Sequence, residues 1–279
     1  MRIAIIIPAR YGSTRFPGKP LALIAGESML SRVYNIARKA VENIDLSNVD
    51  IDIVIATEDQ RIFDHAVSLG AKAVHTSDQC ATGTDRALDA ISKLEDKPDF
   101  VINLQGDAPL TPPKIIGQMI QAFIDTPSLQ VLTPVTQLDW DGLDLLRQNK
   151  EKTPFSGTTV IMNKYGDAVW FSKNIIPAIR KEDDLRSAGS LSPVYRHIGM
   201  YGYRRDVLEE FVTFDMGHYE TLEGLEQLRL LENGYQIRCV PVDLNGLPAM
   251  SGVDSKEDVK RTEEQISQYG EITALKEAC

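Results

Sequence analysis

Three stretches of the chain hold side chains whose types and spacing could do chemistry. The first, PARYGSTRFPGKP at 8–20, carries Arg10, Arg15 and Lys19 together with Gly12 and Gly18. Glycines let backbone N–H groups turn toward an anion, and three cations in one loop supply the charge that a polyphosphate demands. The stretch is not a P-loop. Five residues separate Gly12 from Gly18 where the Walker pattern has four, and Pro20 follows Lys19 where a magnesium-binding Ser or Thr would stand. The other two stretches, VINLQGDAP and SGVDSKEDV, place Asp107 and Asp254 in glycine-containing turns. Two carboxylates, completed by phosphate oxygens and water, make an ordinary Mg²⁺ shell. Each stretch alone has a plainer reading: a solvated basic turn, a turn-forming Asp107, or a helix-capping Asp254.

These residues need a scaffold, and the apolar pattern around them alternates. Strand-like runs at 3–7, 51–56, 71–74 and 101–104 are separated by helical periodicity at 29–41, 61–69 and 84–94. Such alternation predicts a mainly parallel sheet wound by helices, in which ligands sit beyond the carboxyl ends of strands. The loop after 3–7 and the turn after Leu104 should therefore line one crevice. The second half changes character: 131–135, 158–162 and 197–203 predict a mixed or antiparallel extension, and the polar segment 180–192 reads as loop.

Composition narrows the partners. With 279 residues, 43% hydrophobic and 25% charged, the chain can bury one substantial α/β core or two modest ones. A net charge of −10 argues against nucleic acid and anionic membranes, so any phosphate site is a local island of positive charge. No apolar run is long enough to span a bilayer and no signal-peptide pattern opens the chain, which predicts a cytoplasmic protein. Cys80, Cys239 and Cys279 lack any CxxC spacing and predict neither a disulfide frame nor a zinc cage.

PARYGSTRFPGKPL, ATGTDR, NLQGDAP, RHIGMYGYR, LEQLR and SGVDSKEDV, in that order across nearly the whole chain, resemble the 3-deoxy-manno-octulosonate cytidylyltransferases, also called CMP-Kdo synthetases. The resemblance implies a Rossmann-like nucleotidyltransferase fold over 1–279 with a smaller mixed-strand extension around 130–210 for dimerisation and sugar binding. It implies a homodimer, the substrates CTP and a 3-deoxy-octulosonate, Mg²⁺ as cofactor, and a product used in lipopolysaccharide biosynthesis. By the same resemblance Arg10, Arg15 and Lys19 hold the triphosphate, Asp107 and Asp254 hold metal, and Lys19 meets the departing pyrophosphate. Pro8, Ala9 and Gln105 join the nucleotide set, with Ala81, Thr82, Gly83 and Arg86 facing the cytosine. Gln105, Arg180, His197, Tyr201, Glu226 and Gln227 face the sugar, a donor and acceptor mixture suited to a carboxylated polyol. Plainer readings stay open for several of these: Tyr201 packing in a strand, Glu226 paired with Arg229 on a helix, His197 as a structural histidine.

The departures from the family pattern fall near the sugar. Ala108 replaces an acidic residue in QGDAP, Lys173 replaces an arginine after Phe171-Ser172, and Ala178-Ile179 precedes Arg180 where the family has Trp-Asp. TLEGLEQLR begins at Thr221, and Thr158-Thr159-Val160 lacks a lysine that the family carries. The sugar is thus the octulosonate or its 8-amino-3,8-dideoxy analogue. A CMP-sialate-type synthetase and a non-enzymatic nucleotide sensor are the competing readings, the second weakened by the presence of both Asp107 and Asp254.

Overall fold

The computed structural model describes residues 1–12, 15–42, 44, 47–244, 247 and 252–274. Ser13, Thr14, Ser251 and Cys279 lie outside the described residues. The chain runs β1 (Arg2–Pro8), a 3-10 turn (Lys19–Leu21), β2 (Leu23–Ile24), β3 (Glu27–Ser28), α1 (Met29–Val41), β4 (Asp50–Thr57) and α2 (Gln60–Ser68). It continues through β5 (Lys72–His75), α3 (Gly83–Ser92), β6 (Phe100–Asn103) and α4 (Pro113–Asp125). Next come β7 (Val131–Asp139), α5 (Trp140–Lys152), β8 (Thr159–Met162), β9 (Ala168–Ser172), α6 (Glu182–Ala188) and β10 (Leu191–His197). The last elements are β11 (Tyr201–Arg204), α7 (Arg205–Phe211), α8 (His218–Glu223), α9 (Gln227–Glu232), β12 (Ile237–Pro241) and α10 (Lys256–Tyr269). They form two compact units: residues 1–125, 200–212 and 244–279, and residues 126–199 and 213–243.

In the first unit the strand order is β5-β4-β1-β6-β11. β5, β4, β1 and β6 are parallel and β11 runs antiparallel to β6. β1 is central because Ile3, Ile5, Ile6 and Ile7 are fully buried, the signature of a strand covered on both faces. α1 presents Leu30, Val33, Ile36, Ala37 and Ala40 inward, and its first turn is closed by the Ser28 hydroxyl accepting from Ser31 N–H. From β1 the chain lays down β4 and β5 on one side, then crosses back to place β6 on the other. The carboxyl ends of β1 and β6 therefore flank a topological switch point, where open α/β sheets bind ligands.

The second unit is a mixed sheet. β7, β10, β8 and β9 pair antiparallel in that order, and β12 pairs parallel with β7. Trp140 and Leu143 of α5 pack on Val194 of β10, with Leu138, Ile175 and Ile179 around them. Two expectations are corrected here. The strand predicted over 197–203 is two strands, since β10 ends at His197 and β11 starts at Tyr201 with Gly199 between them. The segment 180–192 is not loop: it holds α6 and the start of β10. Its polar residues bond one another and α5, with the Glu182 carboxylate accepting from Arg186 at 2.7 Å and from Arg147 of α5 at 2.8 Å. A helix held by ion pairs rather than by an apolar stripe carries no hydrophobic period to read.

Candidate active site

The cleft at the switch point is built from three turns and one helix start. Directly after β1, Ala9 N–H donates to the Ala56 carbonyl at 2.8 Å, anchoring the loop that carries Arg10, Arg15 and Lys19. That loop closes on itself around Tyr11, whose carbonyl accepts from Gly18 N–H at 3.0 Å. Gly18 has φ +70°, a conformation that favours glycine, and a Cβ there would press 3.0 Å from the Tyr11 ring. Beyond β6, a Cβ at Gly106 would collide with the Pro8 carbonyl, so the QGD turn and the end of β1 touch only because that position is glycine. Val253 N–H donates to the Asp107 carbonyl at 2.8 Å and ties the third turn to the second.

The charges converge on Lys19. Its ammonium donates to the Asp107 carboxylate at 2.8 Å and to the Asp254 carboxylate at 3.1 Å, and Arg15 lies 3.0 Å from the other Asp254 oxygen. The Lys19 side chain is only 14% exposed while Arg15 is 70% exposed, so one cation is enclosed by carboxylates and the other is paired at the solvent side of the cluster. Asp254 is not a helix cap. The cap of α10 is Ser255, which accepts from Asp258 N–H while Asp258 accepts from Asp254 and Ser255 N–H, leaving the Asp254 carboxylate directed at Lys19 and Arg15.

The fourth wall is the start of α3. Thr82 caps it reciprocally with Asp85, a capping box that explains the Thr and Asp of ATGTDR without any ligand. Gln105 approaches Gly83 so closely that a Cβ would stand 3.3 Å from the amide oxygen. Arg86 is buried, with one guanidinium nitrogen 2.5 Å from the Thr76 hydroxyl and 2.7 Å from the Glu58 carboxylate.

The structure thus brings Pro8, Ala9, Arg10, Arg15, Lys19, Ala81, Thr82, Gly83, Arg86, Gln105, Asp107 and Asp254 to one cleft, which Cys80 also lines. Tyr201 belongs to the same unit but not to the cleft lining; it is buried in β11 with its ring 5.9 Å from that of Tyr203. Arg180, His197, Glu226 and Gln227 belong to the second unit. Arg180 is exposed. His197 has its ring nitrogen 2.8 Å from the Thr133 hydroxyl and its ring edge against Phe171; burial, helped by the Lys173 charge, pushes its pKa down to about 3. The imidazole is therefore neutral at ordinary pH.

Glu226 is partly buried at the start of α9, and its expected partner Arg229 is 3.9 Å away because Glu220 takes the guanidinium at 2.7 and 2.8 Å. Gln227 is buried, and its amide nitrogen has no hydrogen-bond acceptor among the described residues. Reasoning from sequence missed Glu58 and Lys150. Glu58 is the first acidic residue after a buried strand, the same signal that exposed Asp107. Lys150 sits in a polar helix face, with nothing in its type or spacing to single it out.

The cytidylyltransferase family description matches residues 4–237. A 3-deoxy-manno-octulosonate cytidylyltransferase of Maricaulis maris (strain MCS10) is 48% identical over 98% of this chain and the whole of that protein. The protein of the same name from Acinetobacter baumannii (strain AYE) is 37% identical over 92% of this chain and 95% of its own length. Among solved structures, CMP:2-keto-3-deoxy-manno-octonic acid synthetase complexed with CTP superposes with a TM-score of 0.79 at 32% identity, covering 96% of this chain and 99% of that one. The shared α/β architecture and near full-length identity agree with the arrangement of the cleft: the chain belongs to the 3-deoxy-manno-octulosonate cytidylyltransferase family of nucleotidyltransferases.

Proposed function

We propose that the chain transfers a cytidylyl group from CTP to a 3-deoxy-octulosonate and releases pyrophosphate, with Mg²⁺ held by Asp107 and Asp254. The observation that carries this reading is the convergence of both carboxylates on one cationic atom, the Lys19 ammonium, in a cleft that also holds Arg10 and Arg15. Hard carboxylate oxygens suit Mg²⁺, and no group of three or more His, Cys, Asp or Glu among the described residues could form a full protein cage. A two-carboxylate site completed by phosphate and water is the arrangement that remains.

When bound, Mg²⁺ neutralises phosphate charge and favours the attacking alkoxide. Arg10 and Arg15 neutralise and orient the triphosphate, and Lys19, once exchanged away from the carboxylates, stabilises the charge that grows on the departing pyrophosphate. The anomeric 2-hydroxyl of the sugar forms the new bond to the α-phosphorus, the bond to the bridging oxygen of the β-phosphate breaks, and the hydroxyl proton passes to water. The neutral His197 imidazole suits a hydroxyl contact rather than a carboxylate ion pair.

For the sugar, we favour the 8-hydroxy octulosonate over its 8-amino analogue. The support is Lys173, which keeps a cation 3.2 Å from the Thr158 hydroxyl and close enough to His197 to bear on its titration. A C8 ammonium placed beside Lys173 would meet that charge, which the Glu223 carboxylate partly offsets. The homodimer, the cytoplasmic setting and the lipopolysaccharide role belong to the same proposal. Exposed Phe155, Tyr219 and Leu222 in the second unit support a face that a second copy covers, and no helix among the described residues is long and apolar enough to cross a membrane.

The test is pyrophosphate release from CTP and Mg²⁺ with the octulosonate, its 8-amino analogue and a nine-carbon ulosonate. The expected order of kcat/KM is the order in which they are named. A preference for the 8-amino sugar would replace the favoured substrate, and a preference for the nine-carbon acid would move the chain to sialate-type chemistry. No release with any sugar would leave a nucleotide-binding protein.

A further inference from the structure

Glu58, just beyond the carboxyl end of β4, has no assigned role, yet it holds two parts of the cleft at once. One carboxylate oxygen accepts from Tyr11 N–H at 3.1 Å, within the basic loop. The other lies 2.7 Å from the Arg86 guanidinium on α3, off the line of the N–H bond, so that contact is an ion pair more than a directed hydrogen bond. Arg86 is 4% exposed and Glu58 20% exposed, which removes the solvent screening that makes surface pairs weak.

The neighbouring residues brace the same point. Arg61 lays its guanidinium 3.4 Å from the Tyr11 ring centroid and is itself held by Asp59 at 2.6 and 3.0 Å. Tyr11 in turn carries Gly18, next to Lys19, through its carbonyl. A continuous chain of contacts therefore runs from α3 through Glu58 to Tyr11 and on to the lysine between the two aspartates.

The geometry points to Glu58 as a positioning residue that fixes the basic loop against the start of α3, so that the nucleotide's phosphates and base meet their partners in one pre-set spacing. This rests on the reading that the cleft takes CTP. A bent or slack loop would still carry its charges, but part of the binding energy would be spent in ordering it. The signature is a loss in nucleotide affinity with little change in the chemical step.

The experiment compares wild type, Glu58→Gln, Glu58→Asp and Thr76→Val by calorimetric CTP binding, by kcat and KM for CTP and sugar, and by Tm. Glu58→Gln keeps an acceptor for Tyr11 N–H but loses the ion pair, and should raise Kd and KM for CTP by about tenfold while kcat stays within about threefold and KM for the sugar is unchanged. Glu58→Asp, which keeps the charge, should recover part of that loss. Should Glu58→Gln not fold, Thr76→Val serves instead: it removes another anchor of Arg86 at matched volume, and should raise Kd for CTP by a few-fold.

CTP affinity equal to wild type in the folded Glu58→Gln protein, or in Thr76→Val when that variant stands in, overturns the inference. So does a lowered Tm with unchanged CTP affinity, which is the mark of a purely structural pair. Wild type that fails to bind CTP would instead overturn the functional reading on which the inference stands.

Discussion

Each unit of the molecule encloses a lysine, and the two are compensated in opposite ways. Lys19 in the first unit is matched by two side-chain carboxylates, Asp107 and Asp254. The Lys150 ammonium in the second shares its three N–H bonds among four backbone carbonyls, those of Pro154 at 3.3 Å, Ser156 at 2.6 Å, Gly157 at 2.9 Å and Lys173 at 2.5 Å. Carboxylates can exchange one cation for another, so the Lys19 cluster is suited to metal and phosphate traffic. Carbonyls from a turn and a strand end have no such freedom, and Lys150 is a staple that holds residues 154–157 against Lys173. Burial accordingly pushes the Lys150 ammonium below its ordinary pKa, with Lys173 and Arg196 adding repulsion that Glu223 only partly offsets.

If that contrast is right, the two clusters fail differently when broken. The largest effect should come from Asp107→Asn and Asp254→Asn, which are nearly isosteric: turnover measured as pyrophosphate release should fall by roughly two orders of magnitude or more, with Tm little changed. Turnover near wild type at saturating Mg²⁺ would remove that aspartate from the metal site. Lys19→Met should cost about tenfold to a hundredfold in kcat/KM, again without unfolding. Lys150→Met reverses the pattern. Four carbonyls lose a charged donor, so Tm should drop by about 3–8 °C while kcat at low temperature stays within a few-fold of wild type. A Lys150 variant that is inactive but fully stable would erase the distinction between exchange site and staple.

The smallest effect is in pH dependence. The native pKa of His197, about 3, lies below its ordinary 6.5. Between those values the unfolded chain binds a proton that the native state refuses, so the contribution to stability is complete above about pH 6.5 and is lost as pH falls toward about 3. Urea unfolding of His197→Gln across that window should show a shallower fall in stability than wild type, and equal slopes would mean that the ring is not held neutral by its surroundings.

The two units also differed in how far they could be read from the sequence. β1 was legible because an unbroken Ile run is buried on both faces, and the cleft was legible because loops at strand carboxyl ends declare themselves by position. In the second unit α6 has no apolar period to read, and besides the local Glu182–Arg186 pair its anchors are Arg147–Glu182 and Arg186–Asp144, which pair across sequence distances that no local pattern records. The break between β10 and β11 was equally hidden, because RHIGMYGYR keeps strand-like residues on both sides of Gly199. Motif matching located His197, Glu226 and Gln227, but only the structure shows that Thr133 occupies the imidazole nitrogen and that Glu220 has taken Arg229. Glu58 and Lys150 act through geometry alone, a carboxylate shared by two segments and an ammonium shared by four carbonyls.

We propose that two carboxylates and a displaceable lysine at the switch point support cytidylyl transfer to an octulosonate. The most direct test is a Mg²⁺ titration of pyrophosphate release, with CTP and the 8-hydroxy sugar both saturating, started from protein treated with EDTA. Release should be absent without Mg²⁺, recover fully on its addition, and depend on both substrates. Sustained release in EDTA, or release from CTP that does not need the sugar, would contradict that proposal.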